Sequence, residues 1–182
     1  MNLGQTLITM GMLVLLIISV ISATRTLMDN NAATLQSEAM TAAATIGNDL
    51  LEEILSKKFD KWADSTGTQD KSVFSPPTGG NEWGPGGKDE RDKVKPLPDT
   101  SSTGNYKSKI YFDDVDDYIG YSRKVTMHNI SGFIASVNVF YCNSSAPDVP
   151  LNVQNTYKTI IVTVSHPLYL PEPISFSALI SY

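Results

Sequence analysis

Cysteine, histidine and positive charge are all scarce in this chain, and each scarcity excludes something. A single cysteine, Cys142, stands among 182 residues, so no intramolecular disulfide can form. Stability outside a cell must then come from packing and assembly, not from the disulfide framework of many small secreted domains. Only two histidines occur, His128 and His166, and neither has neighbours that would complete a nucleophile–base pair or a metal site. Cys142 follows the apolar run Val139-Phe140-Tyr141 and reads as a packed thiol rather than a reactive one. The chain is therefore not expected to be an enzyme. A net charge of −5 with no Lys/Arg cluster argues against nucleic acid as a partner, because such binding needs a concentrated basic face. The most informative absence is at the N-terminus, where no charged side chain lies between Met1 and Thr24.

The same stretch holds a long apolar run, Leu7 to Ile21, close to the roughly 20 residues a helix needs to cross a bilayer core. No Lys or Arg precedes Arg25, so the positive n-region of a secretory signal peptide is missing. A plain membrane anchor would need only a linker after the membrane, yet the helical pattern continues. Leu35, Ala39, Ala42, Ala43, Ile46, Leu50 and Ile54 recur at spacings of three and four, widened by Leu51 and Leu55, and define one helical face. Gln36, Asn48, Glu52, Glu53 and Lys57 fall on other faces, with Glu53 and Lys57 spaced as an i,i+4 ion pair. The pattern predicts a helix from Leu3 to Lys58, on the order of 80 Å long at about 1.5 Å per residue. One small domain cannot bury it. The side chains expected to seek other helices are Leu7, Ile8, Met12, Leu13, Leu15, Leu16, Ile17, Val20 and Ile21. The small residues Gly11, Ser19, Ser22 and Ala23 would permit close backbone approach. Asp29-Asn30-Asn31 has poor helix propensity, which predicts a local loosening or bend.

Three regions follow from the composition: an assembly helix over 1–60 (hydrophobic 1–24, amphipathic 25–60), a Gly/Pro-rich surface region over 61–109, and a sheet domain over 110–182. Seven Gly and five Pro fall within Lys61–Lys109, which breaks regular structure and predicts a long excursion. Trp62, Phe74 and Trp83 are its expected points of attachment to the body. Beyond it, Phe133 to Cys142 and Ile174 to Tyr182 alternate as strands do, and Tyr121–His128 and Tyr157–Ser165 supply two more β-rich runs. Short joints at Asn129–Gly132 and Leu168–Pro173 favour antiparallel neighbours. The expected fold class is α+β: a long N-terminal hydrophobic helix whose C-terminal half packs on an antiparallel sheet of about four strands. Four aspartates, Asp113, Asp114, Asp116 and Asp117, either form a solvated acidic turn or collect Ca²⁺, a cation that prefers carboxylate oxygen. Their spacing does not match the EF-hand loop, which favours the turn. No other cofactor is indicated. Asn129-Ile130-Ser131 and Asn143-Ser144-Ser145 match the glycosylation pattern at Asn129 and Asn143.

The segment Gly4-Gln5-Thr6-Leu7-Ile8-Thr9, directly before the apolar run, resembles the cleavage-site motif of type IV prepilins, with Gly4, Thr6, Leu7 and Ile8 matching in place. Leu50–Leu55, Phe59-Asp60 and Phe112–Tyr121 look like minor pilins and pseudopilins of the mannose-sensitive haemagglutinin and type II secretion classes. The resemblance covers about a third of the chain. It implies a pilin-like fold and a structural subunit of an extracellular filament on a bacterial or archaeal surface. Such a subunit sits in the inner membrane before assembly and then joins identical copies in a helical homo-oligomer. The alternatives are a minor pilin or secretion pseudopilin forming a short fibre, and a monomeric membrane-anchored binding module. Thr9 stands where the family has a glutamate, and Gln5 where it usually has phenylalanine. The leader Met1–Gly4 carries no Lys or Arg. These departures predict an uncleaved or differently processed N-terminus, with the Thr9 hydroxyl satisfied on the preceding helical turn in place of a buried carboxylate.

Overall fold

The computed structural model describes residues 2–61, 63, 67, 70–77 and 93–182. Trp62, Trp83 and most of the Gly/Pro-rich region lie outside them. The chain divides into two compact units, Met1–Glu38 and Ala39–Tyr182. Helix α1, Leu3–Leu55, contributes to both.

In the first unit α1 runs through Asp29-Asn30-Asn31 without interruption, so the helix is not broken at these weak formers. Two or three weak helix formers cost about 0.5 kcal/mol each relative to alanine, less than breaking a helix flanked by strong formers. Leu35, expected on the buried stripe, is exposed.

The second unit is built where α1 meets the sheet. Ala39, Ala42, Ala43, Ile46, Gly47, Leu50 and Ile54 are buried, which is the predicted stripe from Ala39 onward. They pack against residues that alternate along the strands: Phe133, Ala135, Val137 and Val139, and Ile160, Val162 and Val164. Small residues bring the helix close. A Cβ on Gly47 would fall on the ring of Phe176, so glycine there is a packing requirement despite its helix cost of about 1 kcal/mol.

Among the described residues the sheet has five strands in sequential order: β1 Asp99–Thr100, β2 Ser122–Met127, β3 Ile130–Tyr141, β4 Tyr157–Ser165 and β5 Ile174–Ser181. From β2 onward every pairing is antiparallel; the two-residue β1 adds parallel to β2, with Asp99 opposite Arg123. The short helix α2, Lys107–Tyr111, connects β1 towards an aspartate-rich 3-10 turn, Asp116–Tyr118. One joint differs from expectation. The turn between β2 and β3 is only His128-Asn129, both with positive φ (50° and 64°), the two-residue geometry that matches strand twist. Ile130 and Ser131 already pair with β2, and Gly132 (φ 108°) is the extra residue where the register shifts. A glycine accommodates such a bulge without strain.

A second, smaller cluster lies at the far end of the sheet. Phe74, Ala63 and Tyr141 are buried there with Phe59 and Tyr182 packed against them, and the Phe59, Phe74 and Tyr182 rings sit 5.4–5.7 Å apart. Phe74 is the one proposed attachment point within the described residues.

Candidate functional site

Two features stand apart from ordinary core packing: the exposed apolar helix of the first unit and a set of buried charges in the second.

On α1, Leu7, Ile8, Met12, Leu13, Leu15, Leu16, Ile17, Val20 and Ile21 are all 47–67 % exposed. The helix contains a window of mean hydropathy 2.4 with none of it buried. By length and composition it can cross a membrane. Its threonine hydroxyls bond to backbone carbonyls one turn earlier. Thr6 donates to the Asn2 carbonyl (3.3 Å), Thr24 to Val20 (2.8 Å) and Thr26 to Ser22 (3.0 Å). Thr9 lies 3.0 Å from both the Gln5 and the Thr6 carbonyl oxygens. Each threonine thus finds a partner within its own helix, where an unsatisfied hydroxyl in lipid or protein would cost several kcal/mol. Gly4 and Gly11 face open space.

In the second unit, Glu53 does not pair with Lys57. It turns inward, where its Oε2 lies 2.6 Å from Arg123 Nη1 and its Oε1 accepts from Ser108 (2.8 Å) and the Tyr118 hydroxyl (2.9 Å). Lys57 instead donates to the carbonyls of Phe112 (2.7 Å) and Lys109 (3.3 Å). The reason is competition. An exposed helical ion pair contributes only about 0.3–0.5 kcal/mol, whereas Arg123, almost fully buried, needs an anion. Arg123 also lies over the Tyr106 ring at 4.5 Å. Burial, with Glu53 alongside, pushes the Tyr118 hydroxyl well above its ordinary range.

The four aspartates are not a solvated turn. Asp114, Asp116 and Asp117 are buried, and Asp113 alone stays exposed, 3.0 Å from Lys61 Nζ. Asp117 Oδ2 accepts from the N–H groups of Asp113 (2.7 Å) and Asp114 (3.2 Å). Asp114 Oδ1 accepts from Asp116 (2.9 Å) and Asp117 (3.1 Å), and its Oδ2 from Lys61 (2.9 Å). Backbone donors thus do much of what solvent would do. Oxygens of Asp113, Asp114 and Asp117 approach within 4.8 Å of one another, but Asp116 points elsewhere, to Lys158.

Lys158 enters from β4 and is fully buried with Asp60 and Asp116. Its Nζ lies 2.8 Å from each Asp116 carboxylate oxygen and 3.6 Å from Asp60 Oδ2, and it donates to the Phe59 carbonyl at 2.8 Å. The Phe59 and Tyr141 rings flank it at 4.2 and 4.9 Å. Three buried carboxylates around one lysine cannot all hold full charge cheaply. Burial pushes Asp116 well above the usual carboxylate range against the pull of Lys158, and pushes Asp114 to about 6. Asp60 feels the same burial, but Lys158 and the N–H groups of Ser75 and Ala63 outweigh it and hold Asp60 below its ordinary value. Sequence reasoning missed Asp60 and Lys158. The single signal present was a lysine near the start of an otherwise uncharged strand, Tyr157–Ser165.

The remaining candidates are structural or peripheral. His166 Nδ1 accepts from the N–H groups of Leu168 and Tyr169, its Nε2 reaches the Ser131 carbonyl at 3.1 Å, and its ring stacks on Tyr169. Cys142 is buried and accepts a hydrogen bond from the Thr159 hydroxyl. Asn129 sits exposed in the β2–β3 turn; Asn143 is exposed with its Oδ1 accepting from Asn155.

Helix and sheet together give a pilin-like architecture. Comparison of the chain with protein-family models, curated proteins and solved structures found no match.

Proposed function

We propose that this chain is the structural subunit of an extracellular, type IV pilus-like filament on a bacterial or archaeal surface. The N-terminal part of α1 holds it in the inner membrane before assembly and joins it to identical copies afterwards. The observation that supports this reading most directly is the exposed apolar face of α1 with its internally bonded threonines. Complete burial of a leucine-sized side chain contributes roughly 1.5–3 kcal/mol. The face from Leu7 to Ile21, about half to two-thirds exposed, therefore has on the order of 10 kcal/mol still to gain from lipid or from neighbouring helices. Thr9 fits the same reading, because its hydroxyl needs no partner outside its own helix. A buried glutamate would need a cation.

Deletion of residues 1–22 provides the test. The full chain should form long filaments visible by negative stain, and the truncated chain should be a soluble monomer. Filaments that persist after the deletion would refute assembly through the helix. Full-length chains found only as short fibres would favour a minor pilin or pseudopilin, and detergent-bound monomers a membrane-anchored module.

A further inference from the structure

The geometry points to a self-formed covalent cross-link, an isopeptide bond between Lys158 Nζ and the side-chain carboxyl carbon of Asp116. Nζ is 2.8 Å from both Asp116 oxygens. With both oxygens at that distance the carboxyl carbon lies about 3 Å from the nitrogen, close enough for a C–N bond to form without backbone movement. Lys158, Asp116 and Asp60 are all fully buried, and aromatic rings close over the nitrogen from two sides. Two requirements of amide formation are thereby met: the reactants are held together, and bulk water that would favour hydrolysis is excluded.

The step balances without any oxidant or cofactor. Proton transfer within the pair converts ammonium and carboxylate into amine and carboxylic acid with no change in net charge, and burial favours the uncharged pair. The nitrogen lone pair attacks the Asp116 carboxyl carbon and a C–N bond forms. The Asp60 carboxylate, 3.6 Å from Nζ, takes a proton from that nitrogen and passes it to the departing hydroxyl. The C–O bond then breaks, one water leaves, and Asp60 returns to its starting form. Asp60, held low by Lys158 and by the N–H groups of Ser75 and Ala63, stays a carboxylate able to accept that proton, while burial favours the protonated form of Asp116. The product ties β4 to the Asp116–Tyr118 turn in a chain that has one cysteine and no disulfide.

Tryptic mass spectrometry of the folded full chain in detergent reads the bond directly. Lys158 is the only Lys or Arg between Val125 and Tyr182. Cross-linking should block cleavage there and give a branched species joining 110–123 to 125–182, lighter by one water than their sum. Lys158→Arg should restore the unlinked peptide 110–123. Asp60→Asn should lower the linked fraction at least tenfold. Separate peptides of full mass and complete cleavage after Lys158 in the folded wild-type chain would overturn the proposal, whether or not either variant folds. An unchanged linked fraction in Asp60→Asn would overturn the proton transfer through Asp60.

Discussion

Gly47→Ala is a substitution whose sign separates local propensity from packing. In a helix interior the change should stabilise by about 1 kcal/mol through backbone entropy. Here the new methyl would occupy the place of the Phe176 ring, so the ring must leave. Removing a fully buried phenylalanine costs about 3–5 kcal/mol. Phe176 is half-buried, so its displacement should cost roughly half of that, about 2 kcal/mol. The net expectation is destabilisation by about 1 kcal/mol. The decisive measurement is a double-mutant cycle with Phe176→Ala. In that background the space is vacant, and Gly47→Ala should become stabilising by up to about 1 kcal/mol. Urea unfolding of the full chain in detergent, followed by near-ultraviolet circular dichroism, would report it through the buried tyrosines Tyr118, Tyr121 and Tyr141. Additive effects, or a Gly47→Ala single variant more stable than wild type, would show that α1 and β5 are not in the contact described.

Glu53→Ala leaves Arg123 buried without its anion and should destabilise by about 3–5 kcal/mol, read as a large fall in melting temperature; a change within error would mean that Arg123 finds another partner. Asp114 titrates near 6 in the fold against 3.8 when unfolded, so between those values the folded state holds a proton that the unfolded chain releases. Stability should therefore fall as pH rises from about 4 to 6, by on the order of 3 kcal/mol, and Asp114→Asn should flatten that slope. The lowered Asp60 acts oppositely and only below pH 3.8. A wild-type stability that climbs from pH 4 to 6 would contradict this account.

The elements most legible in the sequence were those whose partners did not need to be known. Richness in β-branched residues located β4 at Tyr157–Ser165, alternation located most of β3 and β5, and three-and-four spacing located the buried face of α1 from Ala39 onward. Strand β1 was illegible because two residues carry no period, and its pairing depends on Arg123 more than twenty positions away. The charges were misread for a related reason. Local spacing assigned Glu53 to Lys57, whereas its actual partners lie 55 to 70 residues along the chain. The aspartate run suggested solvent because nothing local announces that backbone N–H groups and a distant lysine would receive it. The β2–β3 turn was placed one to three residues late, since Ile130–Gly132 contains the glycine that marks a bulge as readily as a turn.

The threonines on α1 have a consequence for traffic between two surroundings. Threonines bonded to carbonyls of their own helix keep the same hydrogen bonds in lipid as among neighbouring helices. Moving a subunit from one to the other then neither makes nor breaks a polar contact on those side chains. What remains is a difference in shape-fitting between apolar surfaces, which is small per residue and changes smoothly with position. In the assembly proposed above, no ionic latch on those side chains has to be opened as a subunit passes from lipid to its neighbours.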